Sequence, residues 1–342
     1  MAENKKNGKV TIKSIAEYCG VSVCTVSTVL QNRYKKRRIT MPTVEKIRKA
    51  ALELGYFPDI RARSLRIGDS EKMPLILALL TSYEAPLNIT NHFLYSLRDA
   101  VKNNESLNAR YDISISIEMF PAGRLSEMAS IVSGNCFNAA IITNTTAEDD
   151  EFLKNNRLPF PVVLIDREIE GYTGVIASDT LARSAVSVLK SAGRKRLGIL
   201  CGTPLTQSTR RRLANFCESK DCEVFKISAS GLSEGAGYMA MRQFFALGGK
   251  IDGLYTVSDS LAMGAYLAIK NSGFKIPSDI SVVGTGDYSY SEYFDPPLTT
   301  VGAKYSEFSD TASALLLSMI SAGVKNPRNV SIGELKVIRD SV

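Results

Sequence analysis

The stretch VTIKSIAEYCGVSVCTVSTVL at residues 10–30 decides how the rest of the chain is read. Thr11 precedes Ile12, Ile15 and Ala16, an apolar stripe at helical spacing, and Gly20 stands where a helix ends on a left-handed residue. Ser22 then caps a second stretch, which puts Val26, Val29 and Leu30 on one face and leaves Val23, Cys24, Thr25, Ser27 and Thr28 toward solvent. The pattern predicts a third helix over 43–54, with Val44, Ile47, Ala51 and Leu54 inward and Gly55 as its stop. Three short helices with one small core, two of them meeting across Gly20 and Val21, make a helix-turn-helix head. Such a head lays its second helix in the DNA major groove, with exposed side chains near base edges and caps near phosphates.

The charge distribution points the same way. Of 42 Lys/Arg and 35 Asp/Glu, 15 and 5 lie at or before Gly68, which leaves 27 and 30 for the remainder. The head therefore carries +10 and the body −3, the signature of a polyanion-binding module joined to something else. A solvated basic tail would show the same charge, so the order of the residues has to discriminate.

That order, together with LGYFPD at 54–59 and ARSLR at 62–66, resembles the DNA-binding head and hinge of the LacI family of bacterial transcription regulators. The resemblance implies base-reading roles for Val23, Cys24, Thr28 and Gln31, and phosphate-contacting roles for Thr11, Ser22, Thr25, Ser27 and Tyr56. An exposed apolar Val23–Cys24 pair suits a thymine methyl. Thr28 departs from the family's usual arginine and cannot grip guanine with two hydrogen bonds. Between Leu30 and Ile39 lie eight residues, more than the family's usual loop, and they include Lys35, Lys36, Arg37 and Arg38. These four are expected to add phosphate contacts, against the alternative of a merely solvated charge run. Residues 59–67 are too short to be a stable helix in isolation. The resemblance implies a hinge helix that orders on DNA, with Leu65 wedged into the minor groove, Ala62 allowing close approach and Asp59 as its cap.

Past the linker, apolar β-rich runs at 75–80, 112–117, 138–143, 161–165, 196–200, 251–257 and 280–283 read as buried parallel strands. Arg98 to Asn104 and Leu181 to Ala192 read as parts of crossover helices, which gives α/β architecture with doubly wound parallel sheets. FPVVLIDRE at 160–168, SDSLAMGAYLAI at 258–269, IPSDISVVG at 276–284 and DPPLTTV at 295–301 are also LacI-like. They imply a two-lobed, periplasmic-binding-protein-like core. The expected organisation is a DNA-binding domain at 1–58, a hinge and linker at 59–72, and an effector-binding and dimerisation core at 73–342.

A small ligand belongs at the strand C-termini between such lobes. Family positions that face it fall on Ser82, Asp179, Arg212, Ser258 and Gly286, with Asp259 and Asp287 beside them. Arg212 is the strongest of these, because a guanidinium offers fixed donors to hydroxyls or acids. Ser258 and Asp259 could equally cap a helix starting at Leu261, and Asp179 could be a strand-end turn residue. The family often has an acid at the place of Gly286, and Asp287 is a candidate substitute for it. TSYEAPLNITNHFLYSLRDA at 81–100 resembles the branch that includes galactosidase-operon repressors, a pointer to a galactoside. His92 within it reads as structural. Tyr288, Tyr290 and Tyr293 could stack on a sugar or pack in an interface.

Much else is excluded. His92 is the single histidine, which leaves multi-His zinc sites and Ser/His or Cys/His nucleophiles hard to build. No G-x4-G-K-[ST] or G-x-G-x-x-G motif occurs, and the six cysteines read as reduced thiols. No apolar run reaches the roughly 18 residues of a membrane span, and no secretory signal opens the chain, which argues for the cytoplasm and against an exported solute-binding protein. The expectation is a homodimeric repressor, without cofactor or metal, that binds operator DNA and is released by a small effector, a sugar. A corepressor- or protein-partner-dependent regulator is the alternative, and an α/β enzyme with a basic head is a more distant one.

Overall fold

The computed structural model describes residues 11–30, 34, 37–54, 72–134, 136–178, 180–219, 221–322 and 327–342. They fall into two compact units, one comprising the N-terminal 69 residues with 129–136, the other residues 70–128 and 137–342.

In the head, α1 (Ile12–Cys19), α2 (Val23–Leu30) and α3 (Met41–Glu53) enclose Ile15, Ala16, Cys19, Val26, Val29, Val44, Ile47 and Ala50. Helix α1 begins in a capping box. The Thr11 hydroxyl accepts from the Ser14 amide at 3.2 Å and the Ser14 hydroxyl accepts from the Thr11 amide at 3.2 Å. It ends on Gly20 at φ 63°, whose amide returns to the Ala16 and Glu17 carbonyls. The Ser22 hydroxyl accepts from the Thr25 amide at 3.0 Å and starts α2. Helix α3 begins at Met41, two residues earlier than the apolar pattern indicates, because Pro42 is tolerated in a first turn that lacks amide partners.

The body contains two six-stranded sheets. Its strands are β1 (Met73–Ser82), β2 (Tyr111–Phe120), β3 (Ala139–Ile142), β4 (Val162–Ile165), β5 (Thr173–Ala177), β6 (Arg196–Gly202), β7 (Glu223–Ala229), β8 (Gly253–Thr256), β9 (Ser281–Gly284), β10 (Thr299–Gly302), β11 (Asn329–Ile332) and β12 (Leu335–Val337). The helices following the head are α4 (Leu87–Lys102), α5 (Glu105–Arg110), α6 (Ala129–Ser133), α7 (Ala147–Asn155), α8 (Leu181–Ser191), α9 (Gln207–Cys217), α10 (Glu234–Ala246), α11 (Asp259–Asn271) and α12 (Tyr305–Ala322). The first sheet runs β11-β5-β4-β3-β1-β2, every pair parallel. The second runs β12-β10-β9-β8-β6-β7, parallel except for β12 against β10.

Each lobe buries its own apolar core, and the chain passes between lobes after β5, β10 and β11. Helix α12 packs on β3, β4 and β5 of the first lobe, whereas α8 packs on β8, β9 and β10 of the second. This is the expected α/β architecture of two doubly wound parallel sheets. All seven strands predicted from apolar runs are present, and five more, β5, β7, β10, β11 and β12, lie outside those runs. Strand β2 is not buried as expected: its residues before Phe120 are exposed or half-buried because it forms the edge of its sheet. The helix placed at 98–104 is the end of α4, which starts at Leu87 and stops at Lys102.

Candidate functional site

The solvent face of α2 is narrower than the sequence indicates. Val23 is 46 % exposed and Cys24 is exposed, while Thr25 and Ser27 are half-buried. Thr28 is a correction, since only 8 % of it is exposed and its hydroxyl donates to the Cys24 carbonyl at 2.8 Å. A threonine one turn along a helix bonds back to the i−4 carbonyl, which folds its side chain onto the backbone. Residue 37, ahead of α3, returns to this face. Arg37 Nη1 lies 3.2 Å from Cys24 Sγ, and Arg38 takes the left-handed conformation at φ 52°. Arg48 of α3 covers the Tyr34 ring at 5.5 Å. Val23, Cys24 and Arg37 thus share one surface. Gln31, Lys35, Lys36, Tyr56, Ala62, Leu65 and the hinge at 59–67 lie outside the described residues.

In the body, strand C-termini from both lobes converge on a partly open cavity. The first lobe supplies Thr143 and Asn144 after β3, and Asp166 and Arg167 after β4. The second supplies Thr206, Ser208, Thr209 and Arg212 from the start of α9, Val257 and Ser258 after β8, and Thr285 and Gly286 after β9. Tyr288, Tyr305 and Phe308 contribute aromatic surface. Hydroxyls dominate the polar lining, and two guanidiniums carry its positive charge.

Arg167 is fully buried and holds the first lobe's rim. It donates to the Thr145 hydroxyl at 2.8 Å and to the carbonyls of Thr145 and Asp166 at 2.6 and 2.7 Å, with Asp150 3.6 Å away. Burial pulls its pKa below the ordinary arginine value, and the carboxylate of Asp150 opposes that shift. Arg212 reaches across to the Asp166 carboxylate at 3.3 Å and to the Val257 carbonyl at 3.4 Å. Asp166 adopts φ 57° and also accepts from the Ala177 amide at 3.1 Å.

Of the residues picked from sequence, Arg212, Ser258 and Gly286 come together here, whereas Ser82 is buried beside a smaller recess that shares Asn144 and Thr206 with the cavity. Asp179 lies outside the described residues. Two picks are corrected. Asp259 neither lines the cavity nor caps α11, because Ser258 is the cap, accepting from the Ser260 amide at 3.2 Å. The fully buried Asp259 carboxylate instead turns under the next loop, where it accepts from the Tyr288 amide at 3.0 Å and the Ser291 hydroxyl at 2.6 Å. Burial pushes its pKa up to about 6. Asp287 is no substitute acid in the cavity: at φ 48° it pairs with Arg339 at 2.7 Å.

The absence of an acid at Gly286 also has a steric side. A β-carbon there would stand 2.5 Å from the Tyr305 ring and 2.8 Å from the Tyr288 ring, and the residue sits at φ 119°. The two tyrosines fill the space an acidic side chain would need. Tyr288 is buried in this cluster and Tyr290 packs edge-on to it at 5.5 Å, while Tyr293 is 78 % exposed and stays outside. Burial holds the Tyr288 phenol well above its ordinary pKa, so it remains a protonated donor. His92 is half-buried, and its ring stacks on Tyr305 with centroids 6.2 Å apart.

Sequence reasoning missed Asp166, Arg167 and Tyr305. The signal for the first two was DRE directly after a buried apolar strand, a C-terminal strand end of the kind where α/β ligand sites form.

Residues 11–59 match the model of "Bacterial regulatory proteins, lacI family" and residues 176–342 match that of a "Periplasmic binding protein-like domain". The chain belongs to the LacI family. It is therefore a DNA-binding transcription regulator and not an enzyme. Among curated relatives, it is 25 % identical to the HTH-type transcriptional repressor PurR of Haemophilus influenzae, over 97 % of this chain and 98 % of that one. It is 26 % identical, with the same coverage, to the probable HTH-type transcriptional repressor ExuR of Bacillus subtilis. The lac repressor dimer bound to operator and an anti-inducer shares the fold at TM-score 0.68 and 22 % identity, over 98 % of this chain and 99 % of that one. Among the described residues, no cluster of side chains fits a metal ion and no helix is long and apolar enough to cross a membrane.

Proposed function

We propose that this LacI-family protein is a homodimeric cytoplasmic repressor of catabolic genes. It binds a pseudo-palindromic operator and is released when a small hydroxylated effector of the sugar class enters the cavity between the lobes. The observation that carries the reading is the cavity itself. Its side-chain hydroxyls, one amide and Arg212 converge from both lobes beside tyrosine faces, a lining suited to a polyol. A ligand held from both lobes favours their closed arrangement, and it shifts the population only by its differential affinity for that arrangement. At the head, Val23 and Cys24 read the operator by apolar contact, while Thr11, Ser22, Thr25 and Arg37 meet phosphates. The same roles are proposed for Ser27, Gln31, Lys35, Lys36, Arg38 and Tyr56, and the hinge residues Ala62 and Leu65 enter the minor groove. Repressors among the relatives, and an operator-bound dimer among the structural neighbours, support the sign of regulation and the symmetry.

The test is enrichment of genomic DNA fragments by the purified protein at near-physiological salt, with and without a panel of sugars that includes galactosides. Palindromic sites lost on adding one sugar are the expected outcome. Sites that tighten instead would make the effector a corepressor, and no enrichment would overturn the operator reading.

A further inference from the structure

The cavity's charge bears on its ligand. Among the described residues, Asp166 is the one carboxylate that lines it; Arg167 faces the buried Asp150, while Asp166 stands 3.3 Å from Arg212 and 3.8 Å from Arg211. The acids nearest by sequence are spent elsewhere, Asp259 on the Tyr288–Ser291 loop and Asp287 on Arg339. Gly286 brings no acid, and the Tyr288 and Tyr305 rings leave no room for one.

Arg167 has short partners for its donors, whereas Arg212 does not. Its contacts at 3.3 Å to Asp166 and 3.4 Å to the Val257 carbonyl are long for a charged donor, which closes to about 2.7–2.9 Å on a well-placed carboxylate. Asp166 is held from its other side, where its second oxygen accepts from the Ala177 amide at 3.1 Å and stands 3.8 Å from Arg211. Arg212 belongs to the opposite lobe, so the pair spans the cleft as a stretched tie. A small anion is free of that constraint. It can lie flat on the guanidinium fork with two short hydrogen bonds while phenol donors stand beside it.

We infer that the effector is a small hydroxylated acid, with a carboxylate or phosphate that takes Arg212 from Asp166. This rests on the reading of the cavity as the effector site. Asp166 is then an internal stand-in for the ligand's acid. It keeps Arg212 in place in the empty cleft and competes with the ligand, so its contribution to affinity is negative.

The experiment compares matched ligands on the full chain by calorimetry and thermal shift: D-glucose and D-galactose, their uronic acids, and their 6-phosphates, at constant ionic strength. Binding at least about tenfold tighter in one charged arm than in the neutral arm is expected, and the arm identifies carboxylate or phosphate as the source. Arg212→Gln should erase that preference and Arg212→Lys should keep part of it. Asp166→Asn should raise affinity for the charged ligand severalfold, an effect that loss of a merely structural carboxylate does not produce. Equal or tighter binding of the neutral sugars overturns the inference and leaves the sugar-effector reading standing. Binding in none of the arms overturns both, and a charged-arm preference that survives Arg212→Gln assigns the anion to another group and also overturns the inference.

Discussion

The Ser291 hydroxyl donates a 2.6 Å hydrogen bond to Oδ2 of Asp259, the same oxygen that receives the Tyr288 amide, so one buried carboxylate ties the start of α11 to the loop carrying the cavity's tyrosines. Its other oxygen, Oδ1, is buried with no partner. Burial raises the folded-state pKa from 3.8 to about 6, so between those values the folded chain binds a proton that the unfolded chain has released. This group's stabilisation is therefore fully present below about pH 4 and lost as pH rises through about 6, an effect on the order of 2–3 kcal/mol. Denaturant titrations of wild type and Asp259→Asn should show the variant gaining relative stability between pH 4 and pH 7. A difference that does not change with pH would mean that the carboxyl titrates normally.

Arg167 makes three hydrogen bonds of 2.6–2.8 Å and faces the buried Asp150. Removing the cation strands that carboxylate among buried groups, and breaking a buried pair from one side typically costs about 3–5 kcal/mol. Arg167→Ala should lower the urea midpoint of the body by a corresponding amount. Arg167→Ala combined with Asp150→Ala should recover part of it, which a purely volumetric loss would not allow.

The parts of this fold that could be read from sequence are those where one short-range rule acts. Thr11, Gly20 and Ser22 are cap residues whose roles follow from local hydrogen bonding, and all three occupy the positions read for them. Strands such as β3 and β4 are continuous apolar runs buried on both faces. Strands β7 and β12 are not, because edge strands keep polar residues and lose the apolar signal. Thr28 is buried where periodicity puts it in solvent, because its side chain is set by a back-bond to Cys24 that no periodicity shows. Arg212 was found from its family position, but its partner Asp166 lies 46 residues away across the cleft, and pairing over that separation is a tertiary property.

Gly20 tests the turn of the head. Its φ of 63° is costly for a residue with a β-carbon, by about 1–2 kcal/mol, yet a β-carbon there would meet nothing within 4 Å. The penalty should therefore be conformational and not steric. Gly20→Asn should be tolerated, Gly20→Ala should cost about 1 kcal/mol, and Gly20→Val should cost more, read from the thermal unfolding of the head and from DNA affinity. Equal losses for Asn and Val would point to crowding instead.

The basic loop tests how the head holds its DNA. Arg37 reaches the exposed Cys24, so its charge lies on the surface that carries Val23. Each phosphate that a cation neutralises contributes about −0.9 to the slope of log affinity against log salt on duplex DNA. Arg37→Ala together with Arg38→Ala should therefore flatten that slope by up to about 2 and weaken specific and nonspecific binding alike. Val23→Ala and Cys24→Ala should act differently, leaving the slope unchanged while lowering the preference for the enriched site over random DNA. Salt titrations of both pairs on the same two fragments separate the roles. An unchanged slope in the arginine pair would show that the loop's charge faces water and not phosphate.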